Sequence, residues 1–213
     1  MFRCWASVIL ALIVTATYVT SLPGSYAIQR RASKCNGYQD LCNRKYSNVT
    51  HIGAHDSFAV GKLGSLGSNQ EANVTVQLED GIRLLQIQTH ASSGHQDSNP
   101  SGLSLCHTSC ALKNGGTLES YLRQVKQFLN QNKNEVVTLV ITNPDNKPVS
   151  NFAKAFENTG LNSMAYRANS NSISKNDWPT LQELISQNQR VVVFLDYKAD
   201  VNQAKYILCL LYT

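Results

Sequence analysis

Charged residues are scarce in this sequence: they make up 15% of its 213 residues, and neither sign is in large excess. This composition excludes an acidic disordered chain and a coiled coil, and 12 glycines with 5 prolines are too few for a collagen. Three of the 19 basic residues, Arg3, Arg30 and Arg31, lie in an N-terminal stretch that we expect to be removed, which leaves 16 against 14 acidic residues. So small an excess excludes the nucleic-acid binders, which carry a marked basic patch or stripe.

Long hydrophobic runs are missing except for one at the amino terminus. The run from Trp5 to Val19 follows a single basic residue and precedes Ser25-Tyr26-Ala27, a layout that predicts a cleavable secretory signal peptide over residues 1–27. A membrane anchor is the alternative, but the run is shorter than the roughly 20 residues that span a bilayer. We therefore expect a secreted, extracellular protein.

Metal-binding patterns are lacking too. No Cys-x-x-Cys pair occurs and no predicted helix carries His-x-x-x-His, so we predict no metal and no cofactor. Outside the cell the cysteines are better used as disulfides. Cys35, Cys42, Cys106 and Cys110 can form two bridges, for which three connectivities are open. We favour the two local pairs, Cys35 with Cys42 and Cys106 with Cys110, which leave Cys209 unpaired.

The remaining length allows one domain with a short appendage. We assign residues 28–48 to an N-terminal disulfide-bearing segment and residues 49–213 to the domain itself. In the domain, short runs rich in β-branched residues alternate with helical patterns, which predicts repeated βα units, an α/β fold and a mostly parallel sheet. Two glycosylation sequons, at Asn48 and Asn73, agree with secretion.

The hydrophobic patterns predict five strands and three helices. The strands are Val49–His55, Arg83–His90, Leu103–Thr108, Val136–Thr142 and Val191–Tyr197. The clearest helix follows a cap at Thr117, and two more are predicted at Val149–Thr159, which Gly160 ends, and at Thr180–Asn188. Two polar loops, Gly61–Asn73 and Ser92–Ser101, lie where strands end, and long loops there carry function in α/β folds.

All five histidines lie in the first half of the chain, and three of them close successive predicted strands: His55, His90 and His107. In a parallel barrel such strand ends converge on one mouth, so these imidazoles can reach one substrate. With an unperturbed pKa of ~6.5, one ring can accept a proton while another donates one. Asp56, directly after His55, can orient a ring. The other two histidines, His51 and His95, are interpreted as structural.

Four segments of the sequence resemble a known family: His51–Ser57, Asp80–Gln88, Leu105–His107 and Asn134–Leu139. They are similar to the X-domain of phosphatidylinositol-specific phospholipase C, and more closely to the secreted fungal members of the phospholipase-C-like phosphodiesterase superfamily. The resemblance extends over roughly residues 34–200. It implies a TIM-type (β/α) barrel that cleaves a phosphodiester.

The resemblance also implies a role for each site residue. His55 matches the general base that acts on the inositol 2-hydroxyl, which attacks phosphorus and gives a cyclic phosphate. His107 matches the acid that protonates the departing diacylglycerol oxygen, and Asp56 matches the carboxylate that assists this pair. The implied substrate is a phospholipid or another phosphodiester, and contact with a membrane surface is expected with it.

Two departures from the family pattern bear on activity. Gln86 and Gln88 stand where the bacterial enzymes carry an aspartate and an arginine, and a glutamine can bind a phosphate oxygen but supplies no charge. We place Gln86, Gln88 and His90 around the phosphate, with His90 as a source of charge when protonated. The sequence also stops after the fifth of eight strands, so we expect an incomplete barrel, truncated at its carboxyl end. The alternatives are an inactive phosphoinositide- or phosphate-binding protein on this scaffold, or the incomplete product of a longer gene.

Overall fold

The computed structural model describes residues 32–62, 64–92, 99–170 and 172–210; the predicted signal peptide and His95 lie outside these ranges. Within them the chain forms seven strands and four α-helices. In chain order these are β1 Gly53–Ala54, α1 Val74–Glu79, β2 Leu84–Ala91, β3 Leu103–Cys106, β4 Asn114–Thr117, α2 Leu118–Gln131, β5 Val137–Thr142, α3 Val149–Thr159, α4 Leu181–Ser186, β6 Val191–Leu195 and β7 Ile207–Cys209.

The seven strands form a single open sheet. Its order is β4-β3-β2-β5-β6-β7, and β1 pairs with β2 beside this path. Strands β1, β2, β5, β6 and β7 run parallel to their neighbours in this group. The sheet does not close on itself, so the expected α/β architecture with an incomplete barrel is confirmed.

The third predicted strand departs from the parallel arrangement of the sheet. Strand β3 runs antiparallel to β2, with Leu105 opposite Thr89, and β4 runs antiparallel to β3. The connection from β2 to β3, residues 92–102, is shorter than the dozen or more residues that a parallel crossover needs. The chain therefore returns as a hairpin.

Strand and helix boundaries differ from the predictions mainly where elements are short. Helix α3 has the predicted bounds, and Gly160 follows it with φ 67°. Strand β1 contains only Gly53–Ala54 of the predicted first strand. Helix α1, β4 and β7 were not predicted, because six, four and three residues show too little periodicity.

The sheet buries both of its faces. Val191, Val193 and Leu195 of β6 pack with helices α1 to α3 in the main core. The alternate residues Val192 and Phe194 face a second cluster, built from the N-terminal segment, α4 and aromatic side chains that include Tyr46 and Trp178.

The N-terminal segment covers the amino ends of the parallel strands. Asn36 accepts a hydrogen bond from the Val136 N–H (2.7 Å) and donates one to its carbonyl (3.1 Å), just before β5. The Tyr46 hydroxyl lies 2.7 Å from the hydroxyl of Thr138. We call this end of the sheet the closed end, and the end at the carboxyl termini of β1, β2, β5 and β6 the mouth.

Both favoured disulfides are present: Cys35 with Cys42 at the closed end, and Cys106 with Cys110 next to β3. Cys209 forms no disulfide within the described part of the chain. The two sequon asparagines are exposed, and the Asn73 side chain also caps α1 by accepting the Val76 N–H. None of the described helices is long and apolar enough to cross a bilayer.

Candidate active site

Strand β1 delivers His55 and Asp56 to the mouth. Asp56 has φ 41°, a left-handed conformation that aspartate adopts more readily than most residues. Its N–H donates to Oε1 of Gln86 on β2 (2.7 Å), and the N–H of Ser57 donates to the Gln86 carbonyl (2.9 Å). Gln86 therefore holds the turn that presents Asp56.

His107 follows β3 directly, inside the loop that the Cys106–Cys110 disulfide closes. The next residue, Thr108, has φ 62°, which is unfavourable for a β-branched side chain. Its N–H donates to Oε1 of Gln88 (2.8 Å). Gln88 thus supports the His107 loop as Gln86 supports the Asp56 turn.

Both imidazoles contact the same carboxylate oxygen. Asp56 Oδ2 lies 3.2 Å from His55 Nε2 and 3.5 Å from His107 Nε2. The Asp56 side chain is buried, whereas the His55 side chain is 70% exposed and that of His107 is 27% exposed. Asp56 therefore brings the imidazoles of His55 and His107 together at the mouth.

The two imidazoles differ in what their remaining nitrogens bind. His107 Nδ1 lies 2.9 Å from the Gly67 carbonyl, which can only accept, so Nδ1 carries a proton. Both nitrogens of His107 thus face oxygen acceptors. His55 Nδ1 bonds to none of the described residues, and it keeps its lone pair when Nε2–H points at Asp56. His55 is therefore suited to accept a proton and His107 to donate one.

A cavity of about 400 Å³ opens at the mouth, lined by His55, Asp56, Gln86, Gln88, His107, Thr108, Thr142, Pro144 and Asp196. Because these lining residues include no lysine or arginine, only the imidazoles can bring positive charge. Each glutamine binds a backbone N–H through its carbonyl oxygen, which leaves its amide group to donate. In the described ranges no three His, Cys, Asp or Glu side chains are grouped to hold a metal ion.

Sequence reasoning missed Asp196, which lines the same cavity. Its Oδ1 accepts the N–H of Asn143 (2.8 Å), and the buried Asn143 side chain donates in turn to the carbonyls of Lys147 and Tyr197. Asp196 directly follows β6, so the strand-end rule that found the histidines contained the signal for this residue as well.

His90 does not line the cavity, although it lies on the same strand face as Gln88. Its Nδ1 lies 3.0 Å from Asp145 Oδ1, and Asp145 Oδ2 accepts the Ala91 N–H at 2.7 Å. The Ala91 hydrogen bond, with a smaller contribution from His90, holds the pKa of Asp145 below its usual value. Phosphate binding by His90 therefore stays a prediction, and this cavity does not support it.

His51 lies toward the closed end of the sheet and does not line the cavity, which agrees with its interpretation as a structural residue. Its ring stacks on Tyr46 with the centroids 4.7 Å apart, and its Nε2 lies 3.4 Å from the Tyr46 carbonyl. Burial lowers the pKa of His51.

Comparison with known sequences identifies a family over most of the chain. The family model described as PI-PLC X 1 matches residues 41–211. An uncharacterized secreted protein of the fungus Arthroderma benhamiae is 45% identical over 174 residues, which cover 82% of this chain and 38% of that protein. The PI-PLC X domain-containing protein 1 of the same fungus is 42% identical over 200 residues, covering 93% of this chain and 61% of its own length. The chain thus spans less than two thirds of each relative.

Solved structures of phosphatidylinositol-specific phospholipase C share the fold. The Listeria monocytogenes protein matches with a TM-score of 0.54 and 18% identity, over 74% of this chain and 54% of its own. A Staphylococcus aureus structure from work on modulation of membrane binding matches with a TM-score of 0.57 and 16% identity, over 81% of this chain and 56% of its own. At such identities the likeness concerns the fold alone. The family match and the fungal relatives go further: this chain belongs to the PI-PLC X family.

Proposed function

We propose that this chain is a secreted phosphodiesterase of the phospholipase C type, which cleaves the phosphodiester of a phosphoinositide lipid. The observation that supports it most is the buried Asp56 carboxylate shared by His55 and His107 at the cavity. One imidazole with a free lone pair and one with both nitrogens facing acceptors are the two partners that a paired proton transfer needs.

In the proposed reaction, His55 Nδ1 takes the proton of a hydroxyl on the substrate headgroup, and the freed oxygen attacks phosphorus. The bond from phosphorus to the lipid alcohol breaks, and the leaving oxygen receives a proton from His107. The Nε2–H of His107 is the available one, because 3.5 Å from Asp56 is too long for a strong hydrogen bond. The products are a cyclic phosphate and the free alcohol.

Charge at phosphorus is supplied by few groups in this proposal. The amide groups of Gln86 and Gln88 donate hydrogen bonds to phosphate oxygens, and no lysine or arginine lines the cavity. Electrostatic stabilisation of the transition state is usually the largest catalytic contribution. The lack of a lysine or arginine in the cavity lining therefore favours a second candidate function, binding of a phosphoinositide headgroup without turnover.

The mouth also offers a surface for a lipid membrane. Leu66 is 83% exposed and lies beside Gly67, whose carbonyl contacts His107. Leu112, in the loop that follows His107, is 45% exposed. Tyr197, 56% exposed, follows Asp196. Apolar and aromatic side chains that protrude around a site insert into the interfacial region of a bilayer. This surface would bring a lipid headgroup to the cavity.

Secretion is supported by several weaker observations together. Two disulfides belong to an oxidising compartment, and one relative carries the name of a secreted protein. Both sequon asparagines, Asn48 and Asn73, are exposed and therefore open to glycosylation. These observations agree with the signal peptide expected over residues 1–27.

The test is release of inositol phosphate from phosphatidylinositol by the purified secreted chain. His55→Ala and His107→Ala should each lower the rate about 100-fold or more, since each removes a proton-transfer group. His51→Gln, a histidine change outside the cavity, should keep the wild-type rate per folded molecule. Equal release from wild type and both alanine variants would refute the proposal. Retained binding of inositol phosphate with no release by any form would favour the second candidate.

Membrane contact is tested by sedimentation with phosphatidylinositol-containing vesicles. Leu66→Ser together with Leu112→Ser should weaken vesicle binding several-fold, because each removes exposed apolar surface at the mouth. Ile52→Ser is the matched control, since Ile52 is 64% exposed but precedes β1, away from the cavity. Equal binding by all three forms would contradict the proposed surface.

A further inference from the structure

The disulfide at the mouth closes the loop that carries His107. Its cysteines are only four positions apart, and their Cα atoms are 4.8 Å from each other. We infer that the Cys106–Cys110 disulfide is a positioning element, which holds the His107 imidazole against Asp56 for transfer of its proton. This inference rests on the proposed function, because positioning matters only if His107 donates a proton.

The backbone of this loop requires restraint. Thr108 has φ 62°, and a β-branched residue adopts this region only when its surroundings impose it. The loop turns tightly, with the Ser109 N–H donating to the His107 carbonyl (2.6 Å) and the His107 N–H donating to the Lys113 carbonyl (3.1 Å). Without a tie between its ends, a loop of this kind relaxes toward ordinary backbone angles and turns the His107 ring away from Asp56.

The core anchors only one of the two cysteines of this disulfide. Cys106 is fully buried at the end of β3, whereas Cys110 is partly exposed and returns to it. Besides the backbone hydrogen bonds of the turn, the Thr108 N–H donates to Gln88 and the His107 ring bonds to Gly67. Across the residues that the structure describes, the disulfide is the one covalent tie beside the cavity.

The second disulfide provides a matched control. Cys35 and Cys42 are seven positions apart at the closed end, and neither lines the cavity. Loop-closure stabilisation grows only with the logarithm of loop length, so the two bridges should contribute similarly to global stability. A difference between their removals would therefore report the local role at His107.

The experiment uses two substrates, of which only one has a leaving group that must be protonated. Phosphatidylinositol releases an alcohol oxygen that must be protonated, whereas a p-nitrophenyl inositol phosphate releases a stable phenolate. Replacing Cys106 and Cys110 together by alanine should lower kcat on the lipid about 10- to 100-fold, toward the value for His107→Ala. It should lower kcat on the aryl substrate less than about threefold, while KM stays unchanged for both. Replacing Cys35 and Cys42 together by alanine should leave the ratio of the two rates at the wild-type value.

The ratio of rates measured on one sample does not depend on how much of that sample is folded. An equal loss on both substrates would overturn the inference, as would an unchanged ratio. If the alanine pair is not secreted, C106S with C110S replaces it. Failure of both pairs to fold, while the variant without Cys35 and Cys42 folds, would assign the disulfide to global stability and overturn the inference as well.

Failure of the proposed function is distinguishable from failure of the inference. If the wild type cleaves neither substrate, the proposed function fails, and the NMR signal of the His107 ring tests positioning directly. That signal should shift when the Cys106–Cys110 bridge is removed and stay in place when the Cys35–Cys42 bridge is removed. An identical His107 signal in all three forms would overturn the inference.

Discussion

The closed end and the mouth of the sheet differ in how their polar groups are used. At the closed end, the buried Arg190 donates to the carbonyls of Leu129 and Asn132 and to the side chain of Asn188. At the mouth, Oδ1 of Asp56 is buried and accepts no hydrogen bond from a described residue. The first arrangement stabilises the fold, while the second leaves a buried carboxylate oxygen unpaired beside the cavity.

Backbone conformation separates the two ends in the same way. The closed end places asparagine at its left-handed positions, Asn36 with φ 47° and Asn188 with φ 55°. At the mouth, Asp56 (φ 41°) and Asn146 (φ 55°) are joined by Thr108 and Lys198, both with φ 62°. Because asparagine tolerates this conformation and a β-branched residue does not, the mouth carries more backbone strain. Strain of this kind collects where surroundings impose a geometry that the local sequence does not favour.

The largest expected effect is on activity at the mouth. Asp56→Asn keeps the size of the side chain but removes the charge that both imidazoles face, so the rate of phosphodiester cleavage should fall about 10²- to 10³-fold. The melting temperature should change little, since the carboxylate completes no structural network with Oδ1. Steady-state kinetics and a thermal melt check both parts. A rate within threefold of wild type would remove the shared carboxylate from the mechanism.

The next effect is on stability at the closed end. Arg190→Met leaves the carbonyls of Leu129 and Asn132 without their donor, which should cost about 3 kcal/mol of unfolding free energy. Activity per folded molecule should not change, because Arg190 does not line the cavity. Urea denaturation gives the free energy. If the loss is under about 1 kcal/mol, the contrast between the two ends is weaker than described.

A smaller effect, of opposite sign, is expected at Thr108. Thr108→Asn relieves the left-handed strain and should raise the free energy of unfolding by roughly 1 kcal/mol. Cleavage should become slower, since residue 108 lines the cavity and directly follows His107. A loss of stability in this variant would show that Thr108 carries no backbone strain in this loop.

The smallest expected effect is on the pH dependence of stability, through His51. This residue is an exception at the closed end, because its buried Nδ1 has no hydrogen-bond partner among the described residues. Burial lowers the pKa of the folded ring, so the unfolded chain binds more protons as the pH falls. The stability from the neutral ring is present above the unfolded pKa of about 6.5 and is lost at lower pH. His51→Gln should therefore reduce the loss of stability between pH 7.5 and 5.5, measured by urea denaturation. Identical losses in both proteins would contradict the assignment.

The predictions succeeded where a single physical pattern decides the outcome. Apolar runs identify β5, and the three-and-four spacing identifies α2, because burial controls both. The direction of β3 depends on the length of the connection before it, which the strand pattern itself does not encode. His55 and His107 were singled out because they close predicted strands, and they meet because the hairpin returns β3 to the mouth.

Other parts of the site left no signal in residue type. The Gly67 carbonyl that binds His107 is a backbone atom, so every residue type at this position would offer the same chemistry. The backbone N–H groups that Gln86 and Gln88 hold are equally silent in sequence. Such contacts depend on the path of the chain in three dimensions.

Gly67 shows where mutation would damage this contact. Its φ of 72° favours glycine, and an added Cβ would lie 3.0 Å from the Cβ of Lys113 and 3.2 Å from Cγ of Leu112. Every substitution keeps the carbonyl oxygen, but an added side chain crowds Lys113 and Leu112, and we expect the strained backbone to shift that oxygen relative to the imidazole. The contact between His107 and residue 67 therefore depends on a residue without a side chain. A survey of polar residues alone would miss this position.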